Sequence, residues 1–162
     1  HLLPQHPAQM TLLRTRPELM PNAIEEMLRF EGPIQAMLRF VSEDMTFHGK
    51  KLKRNQLVLA VIAGANRDPR AFEKPETFDT TREDNPHEGF GYGIHLCLGL
   101  TLARLEARIA LTRLLEFFPE MELARSIVWT GPSITRGMDQ LYVRVQATTA
   151  GPIIDLYVYV PP

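Results

Sequence analysis

Cys97 is the residue of the chain best placed for chemistry, in the stretch FGYGIHLCLG at residues 90–99. It comes directly before a predicted helix, where free backbone N–H groups and the positive end of the helix dipole favour a thiolate over a thiol. Glycines on both sides of the cysteine let the backbone turn tightly and lie against a flat, bulky group. His95 can reach an anionic group at the edge of such an object. A thiolate, an open backbone and a cation together predict a haem-binding loop.

Three other interpretations of this stretch each explain one of its features. A lone cysteine before a helix is more often a packing residue than a ligand. A zinc site would use His95 and Cys97, but no second pair of cysteine or histidine residues completes four ligands. The glycines resemble a dinucleotide-binding loop, yet their spacing is not G-x-G-x-x-G and no clear strand precedes them.

Glu26 and Arg29 form a second candidate pair, because residues three apart share one face of a helix. On an exposed surface such an ion pair contributes little to stability. The residues alone leave both a solvated pair and a buried one open.

The composition excludes several classes of function. A formal net charge of -1 argues against a nucleic-acid binder, which needs a basic excess to neutralise phosphates. No apolar stretch is long enough to cross a bilayer, and no signal peptide is visible. The single cysteine permits no internal disulfide, which fits a reducing compartment and predicts a cytoplasmic protein. The length of 162 residues suits one domain.

The elements that must position these residues follow from periodicity and turn residues. Asn22 to Glu25 predict a capping box at the start of the Glu26 helix. Residues 66–89 are polar and rich in proline, and they predict a long ordered loop of the kind that is usually functional. The other predicted elements are helices over 8–20, 22–30 and 98–118, hairpins around 48–51 and over 127–146, and a strand running into a short helix over 57–65.

The sequence around Cys97 resembles the signature of the cytochrome P450 family, F-x-x-G-x-H-x-C-x-G. The fixed positions of this signature are occupied by Phe90, Gly93, His95, Cys97 and Gly99. The similarity continues beyond the signature and covers about residues 10–145. It implies a mainly α fold with small β-sheets and hairpins (α+β). Residues 1–146 would form the C-terminal haem-binding part of a single P450 domain, followed by a tail of unknown role at 147–162.

The resemblance also implies a role for each candidate residue. Cys97 would be the axial ligand of the iron of haem b (iron protoporphyrin IX) and the catalytic residue. His95 and Arg39 would pair with the haem propionates, while Phe90, Gly93 and Gly99 shape the loop. Glu26 and Arg29 match the E-x-x-R motif of the family. With Arg82 they would form a buried ion network that is structural rather than catalytic.

Substrate and partner contacts are implied less specifically. Ile34, which follows the E-x-x-R helix, and Ile134 and Thr135, at the tip of the last hairpin, would line the substrate pocket. Arg104 and Arg108 lie four residues apart on one helix face and would form a docking surface for the electron donor. The resemblance implies a ferredoxin or a flavin-type donor, with NAD(P)H as the indirect source of electrons and a small organic molecule as the substrate.

The function implied is that of a haem-thiolate monooxygenase, an oxidoreductase that inserts one oxygen atom of O₂ into its substrate. The oxygen-activation helix of the family would lie before the E-x-x-R helix, and too few residues precede Glu26 to hold it. The 162-residue chain alone is therefore predicted to be inactive. The alternative is a non-catalytic relative that acts as a haem-binding or partner-activating scaffold.

Overall fold

The computed structural model describes residues 1–130, 134–146 and 153–159. Two helical segments precede the E-x-x-R helix, and a 3₁₀ turn over Pro17–Leu19 connects the second of them to that helix. One long helix follows the cysteine. In chain order the helices are α1 (Leu2–Gln5), α2 (Pro7–Thr15), α3 (Met20–Glu31), α4 (Ile62–Ala65) and α5 (Leu100–Phe117).

The strands form small antiparallel sheets. In chain order they are β1 (Met37–Phe40), β2 (Met45–Phe47), β3 (Lys50–Leu52), β4 (Leu57–Ala60), β5 (Glu120–Leu123), β6 (Val128–Thr130), β7 (Gly137–Gln146) and β8 (Ile153–Tyr159). Strand β1 pairs with β4 and β2 pairs with β3, while β7 pairs with β5, β6 and β8. The predicted α+β class is confirmed, and β8 extends the last sheet into the segment that the sequence left unassigned.

The core lies between α1, α2, α3, α5 and the sheet around β7. Helix α3 contributes Met20, Ala23 and Ile24 to it, at the i, i+3, i+4 spacing that gives a helix one apolar face. Leu115 of α5 and Val145 of β7 meet this face from the other side. Burial of this face fixes the rotation of α3 about its axis. The side chains on either side of the face therefore point in defined directions.

The predicted capping box is wrong. Helix α3 begins at Met20, directly after the 3₁₀ turn, and no side chain caps its first residue. Pro21 occupies the first turn, where its missing N–H costs nothing. Asn22 lies inside the helix and donates a hydrogen bond to the carbonyl of Arg82 at 3.5 Å. The helix ends before Gly32, where a Cβ atom would lie 2.5 Å from the carbonyl oxygen of Leu28.

Residues 66–89 contain no helix or strand, as predicted, and we call them the long loop. Their backbone is held by turns and by side chains from the helices. Thr80, for example, is fully buried, and both its N–H and its hydroxyl donate to the amide oxygen of Gln9. The predicted turn between β2 and β3 is also confirmed, since His48 and Gly49 both have the positive φ of a two-residue hairpin turn.

Large apolar side chains are exposed on β1 and β4, and also on α5 and just before it. They include Leu38, Phe40, Leu57, Leu59, Leu98, Leu102, Leu105 and Ile109. A cavity of about 450 Å³ also opens between α3, α5 and β7, with Leu28, Phe90, Leu111 and Val143 in its wall. Exposed apolar side chains in such number are typical of a chain that buries them against another part of a protein or a ligand. None of the helices described is long and apolar enough to cross a membrane.

Candidate functional site

Cys97 lies between a short 3₁₀ turn, Gly93–His95, and the first residue of α5. Its N–H donates to the carbonyl of Phe90 at 2.9 Å, which closes residues 90–99 into a compact loop, the cysteine loop. Its own carbonyl accepts a hydrogen bond from the N–H of Leu100 at 3.3 Å. The thiol is exposed. The cysteine is therefore held rigidly at a helix start and accessible on one side.

The glycines of the cysteine loop have two different roles. Gly91 and Gly93 have φ of 74° and 65°, the left-handed conformation that side chains disfavour. A Cβ atom at Gly93 or at Gly99 would meet no atom within 4 Å. The backbone at these two glycines thus borders open space and permits the close approach of another group.

The surroundings of Cys97 fit the haem that the sequence implies. Within the described residues, no cluster of three or more His, Cys, Asp or Glu side chains could hold a metal ion on its own. A single cysteine sulfur beside exposed apolar side chains suits an iron whose remaining protein-independent ligands come from a porphyrin. Ile94 is 97% exposed beside the cysteine, and Leu96 and Leu98 are exposed as well. These side chains and the open glycines offer a flat group both contact and room.

His95 and Arg39 are both exposed. Arg39 lies on β1 and donates to the carbonyl of Leu38 at 2.8 Å. Neither residue has a carboxylate partner in the part of the chain that the structure describes. Both side chains are thus available to an external anion.

Glu26 is completely buried at the centre of the predicted ion network. Arg29 donates to both its carboxylate oxygens, with distances of 2.7 and 2.8 Å. Arg82 donates through Nε at 3.1 Å. The N–H of Asp79 and the amide of Asn85, which the sequence did not indicate, donate at 2.9 and 3.1 Å. The structure thus brings the three predicted residues together and adds two more.

Arg29 uses all five of its N–H groups, although its side chain has no exposed surface. Besides Glu26, it donates to the carbonyls of Asn66, Pro75 and Thr77, at distances between 2.8 and 3.1 Å. A buried ion pair is favourable only when its remaining hydrogen bonds are made, and here they are. The pair therefore fixes the long loop to α3.

Arg82 ties a second part of the long loop to the same carboxylate. Its Nη1 donates to the carbonyl of Glu73 at 2.9 Å and its Nη2 to that of Lys74 at 3.4 Å. Arg67 adds a third link, since it donates to the carbonyl of Phe30 at 2.7 Å and forms an ion pair with Glu76. Backbone carbonyls, which no sequence motif reveals, are the main acceptors.

Arg104 has a partner within the chain that the sequence did not indicate, and its role in docking stays a prediction. Its guanidinium binds the Glu25 carboxylate in a bidentate manner, with two distances of 2.7 Å, while its side chain stays partly exposed. It also lies over the ring of Phe90, 4.7 Å from the ring centre. Burial raises the pKa of Glu25, but hydrogen bonds from Arg104 and His87 outweigh this and hold that pKa below its ordinary value. Arg108 is exposed and has no ion-pair partner among the described residues.

The predicted substrate-contact residues lie side by side. Ile34 and Thr135 form an isolated antiparallel bridge, and the N–H of Gln35 donates to the carbonyl of Ile134 at 2.9 Å. Arg136 holds the same junction, because its N–H donates to the carbonyl of Pro33 and its side chain pairs with Glu31. Residues 131–133 of the hairpin tip lie outside the described residues.

The sequence profile of the family "Cytochrome P450" matches residues 3–125, which is most of the chain. This stretch contains the E-x-x-R helix, the long loop and the cysteine loop. The chain belongs to the cytochrome P450 family.

Several bacterial P450 proteins resemble it in sequence. Cytochrome P450 CYP107DY1 of Priestia megaterium is 49% identical over 120 residues, which cover 74% of this chain and 29% of that protein. The 6-deoxyerythronolide B hydroxylase of Saccharopolyspora erythraea is 40% identical over 148 residues, 90% of this chain and 37% of that protein. The chain thus spans about a third of the length of these P450 relatives.

A solved P450 structure confirms the fold. The cytochrome P450 PksS of the Bacillus subtilis bacillaene polyketide synthase superimposes with a TM-score of 0.85 at 42% identity. The match covers 88% of this chain and 38% of that one. The arrangement of helices and small sheets described above is therefore that of the corresponding part of a P450.

Proposed function

We propose that the whole protein is a haem-thiolate monooxygenase and that this chain supplies the thiolate side of its haem site. The observation that carries the proposal is Cys97, exposed on a glycine-lined loop at the start of α5. Family membership and the hydroxylase among the relatives support it. A haem bound there would supply the reductive activation of O₂, with one oxygen atom passing to the substrate and the other, with two electrons and two protons, leaving as water.

Each residue of the site has a distinct task in this proposal. Cys97 would bind the iron of haem b as a thiolate, which the helix start stabilises. His95 and Arg39 would neutralise the two propionates, because a carboxylate at an apolar surface is costly without a cationic partner. Phe90 stabilises the cysteine loop, since its carbonyl accepts a hydrogen bond from the N–H of Cys97. Gly93 and Gly99 leave room for the porphyrin.

The ion network would act on the site through the backbone. Glu26, Arg29 and Arg82 fix the long loop, and Asn66 of that network accepts the N–H of Glu88, just before the cysteine loop. The network would set where the cysteine loop starts, while touching none of the reacting atoms. We therefore keep these residues as structural.

Substrate and electron donor are assigned by class. Ile34, Ile134 and Thr135 would contact a small organic substrate. The bridge between the two segments would keep these residues together on one side of the substrate pocket. A ferredoxin or a flavin-type protein, itself reduced by NAD(P)H, would supply electrons and dock at the surface that contains Arg104 and Arg108. A cytoplasmic location stays a prediction.

The domain boundary is also part of the proposal. Residues 1–146 would be the C-terminal part of one P450 domain. In the 147–162 segment, β8 pairs with β7 along seven residues, from Ile153 to Tyr159, so at least this part adds to the domain's last sheet.

The carbon monoxide spectrum of the reduced whole protein tests the proposal. The unmodified protein should show the red-shifted Soret band of thiolate-bound haem, and Cys97→Ser should abolish it. Thr101→Ser, an exposed position one turn further along α5, serves as the control and should keep the band. A thiolate band that survives in Cys97→Ser would refute the ligand assignment. The absence of any such band in the unmodified protein would favour the non-catalytic scaffold.

A further inference from the structure

Glu25 lies next to Glu26 on α3 but faces a different part of the molecule. Its carboxylate joins two side chains that the E-x-x-R motif does not include, His87 at 2.9 Å and Arg104 at 2.7 Å. His87 comes just before the cysteine loop and Arg104 comes just after it, on α5. One carboxylate thus contacts both flanks of the loop that carries Cys97.

The His87 branch reaches the backbone of the loop. The N–H of Gly89 points to Nδ1 of His87 at 3.0 Å. Because a backbone N–H can only donate, Nδ1 must accept, and the ring hydrogen of the neutral imidazole lies on Nε2. Nε2 then donates to Glu25. The ring, whose side chain is only 3% exposed, links α3 to Gly89, the residue before Phe90.

The Arg104 branch reaches the same phenylalanine from the other side. The bidentate contact with Glu25 orients the guanidinium plane, which lies over the Phe90 ring. The carbonyl of Phe90 in turn accepts the N–H of Cys97 at 2.9 Å. The two branches therefore converge on Phe90, and Phe90 holds the backbone of the cysteine.

We propose that Glu25 is a positioning residue for the Cys97 thiolate, acting through His87 and Arg104. The inference rests on the proposed function and adds a second anchored carboxylate to the one in the E-x-x-R motif. The Glu25 and Arg104 side chains are 27% and 39% exposed, and ion pairs at such positions contribute little to global stability. Loss of the contact should therefore affect the haem ligand far more than the unfolding transition.

The test uses Glu25→Gln, Arg104→Gln and Arg104→Lys in the haem-loaded whole protein. Arg113→Gln is the matched control, because it removes an arginine–carboxylate pair from the same helix, remote from the cysteine loop. For each protein, the rate at which the reduced carbon monoxide complex loses its thiolate-type band is measured together with the thermal unfolding midpoint. We expect the band to be lost about tenfold faster in Glu25→Gln and Arg104→Gln, because each variant loses a hydrogen bond between charged groups. Arg104→Lys should lie between, since lysine keeps the charge but not the bidentate geometry.

The outcomes separate this inference from the function beneath it. Faster loss of the band in both glutamine variants, with unfolding midpoints close to that of Arg113→Gln, supports the positioning role. Rates equal to the control would overturn it while the thiolate assignment stands. Faster loss that only follows a lower unfolding midpoint would also overturn it, in favour of a structural role. If the unmodified protein shows no thiolate band, the proposed function and the positioning role both fail.

Discussion

Replacing Arg29 by methionine removes the group that holds the long loop against α3. Methionine keeps much of the apolar length of the side chain and makes none of the hydrogen bonds. Glu26 loses two of its donors, and the carbonyls of Asn66, Pro75 and Thr77 lose theirs. Since Arg29 is 1% exposed, water cannot replace the guanidinium without opening the loop.

The cost follows from what is left unpaired. Removing one partner of a buried ion pair destabilises a protein by about 3–5 kcal/mol. Each buried carbonyl left without a donor adds about 1–3 kcal/mol unless the loop moves to meet water. The expected loss is thus at least about 4 kcal/mol, a large share of the roughly 5–15 kcal/mol that holds a domain folded. Arg29→Lys keeps the charge with three N–H groups in place of five, and should cost about 2 kcal/mol.

Urea unfolding of the whole protein, followed by circular dichroism, measures these differences. Arg113→Met is the control, because its ion pair with Glu116 is exposed and its loss should change the free energy of unfolding by less than about 0.5 kcal/mol. The expected order of stability is control, then Arg29→Lys, then Arg29→Met. A value for Arg29→Met within about 1 kcal/mol of the control would refute the reasoning, because it would mean that the loop reorganises at little cost.

Four further outcomes are expected. Arg39→Ala should release haem faster to a scavenger protein, and unchanged transfer would show that Arg39 does not reach a propionate. Ile34→Phe or Ile134→Phe should change the product distribution more than haem retention, whereas equal effects would place these side chains in the core. The pKa of Glu25 lies below its ordinary value of 4.5, so its contribution to stability is complete above that pH and lost as the pH falls through the lowered pKa. Because the contact is partly exposed, the unmodified protein should lose only slightly more stability in acid than Glu25→Gln, and a larger acid loss in Glu25→Gln would contradict the assigned contacts. The 162-residue chain expressed alone should not sustain oxygenation with peroxide or a surrogate ferredoxin system, because its apolar faces stay exposed; coupled turnover by the chain would refute this.

The features that the sequence predicted correctly are those set by residues close together in the chain. Cys97 before a helix, Glu26 and Arg29 on one helix face, and the hairpin at His48 and Gly49 all follow from residues close together in the chain. The position of Arg82 beside Glu26 followed from the family resemblance, because 56 residues separate the two.

The contacts that were missed are long-range or involve the backbone. Nothing in the sequence near Glu25 indicates Arg104, which lies 79 residues further on, and the same is true of Asn85 beside Glu26. The carbonyls that accept from Arg29 and Arg82 have no residue signature at all. The helix of Arg104 shows a basic face in the sequence, and nothing in that pattern indicates that an acidic residue of α3 pairs with it.

Adjacent anchors on α3 constrain how the length of this protein can vary. Neighbouring residues of a helix point about 100° apart, so Glu25 reaches the two residues that flank the cysteine loop, His87 and Arg104, while Glu26 reaches Arg82 and Ile24 faces the core. A single insertion or deletion inside Met20–Glu31 would rotate the residues after it by about 100° relative to those before it. At least one of these side chains would then lose its partner. Changes of length should be excluded from this helix and tolerated at the exposed turn between β2 and β3. A survey of insertions in natural homologues would show the helix as a segment of fixed length.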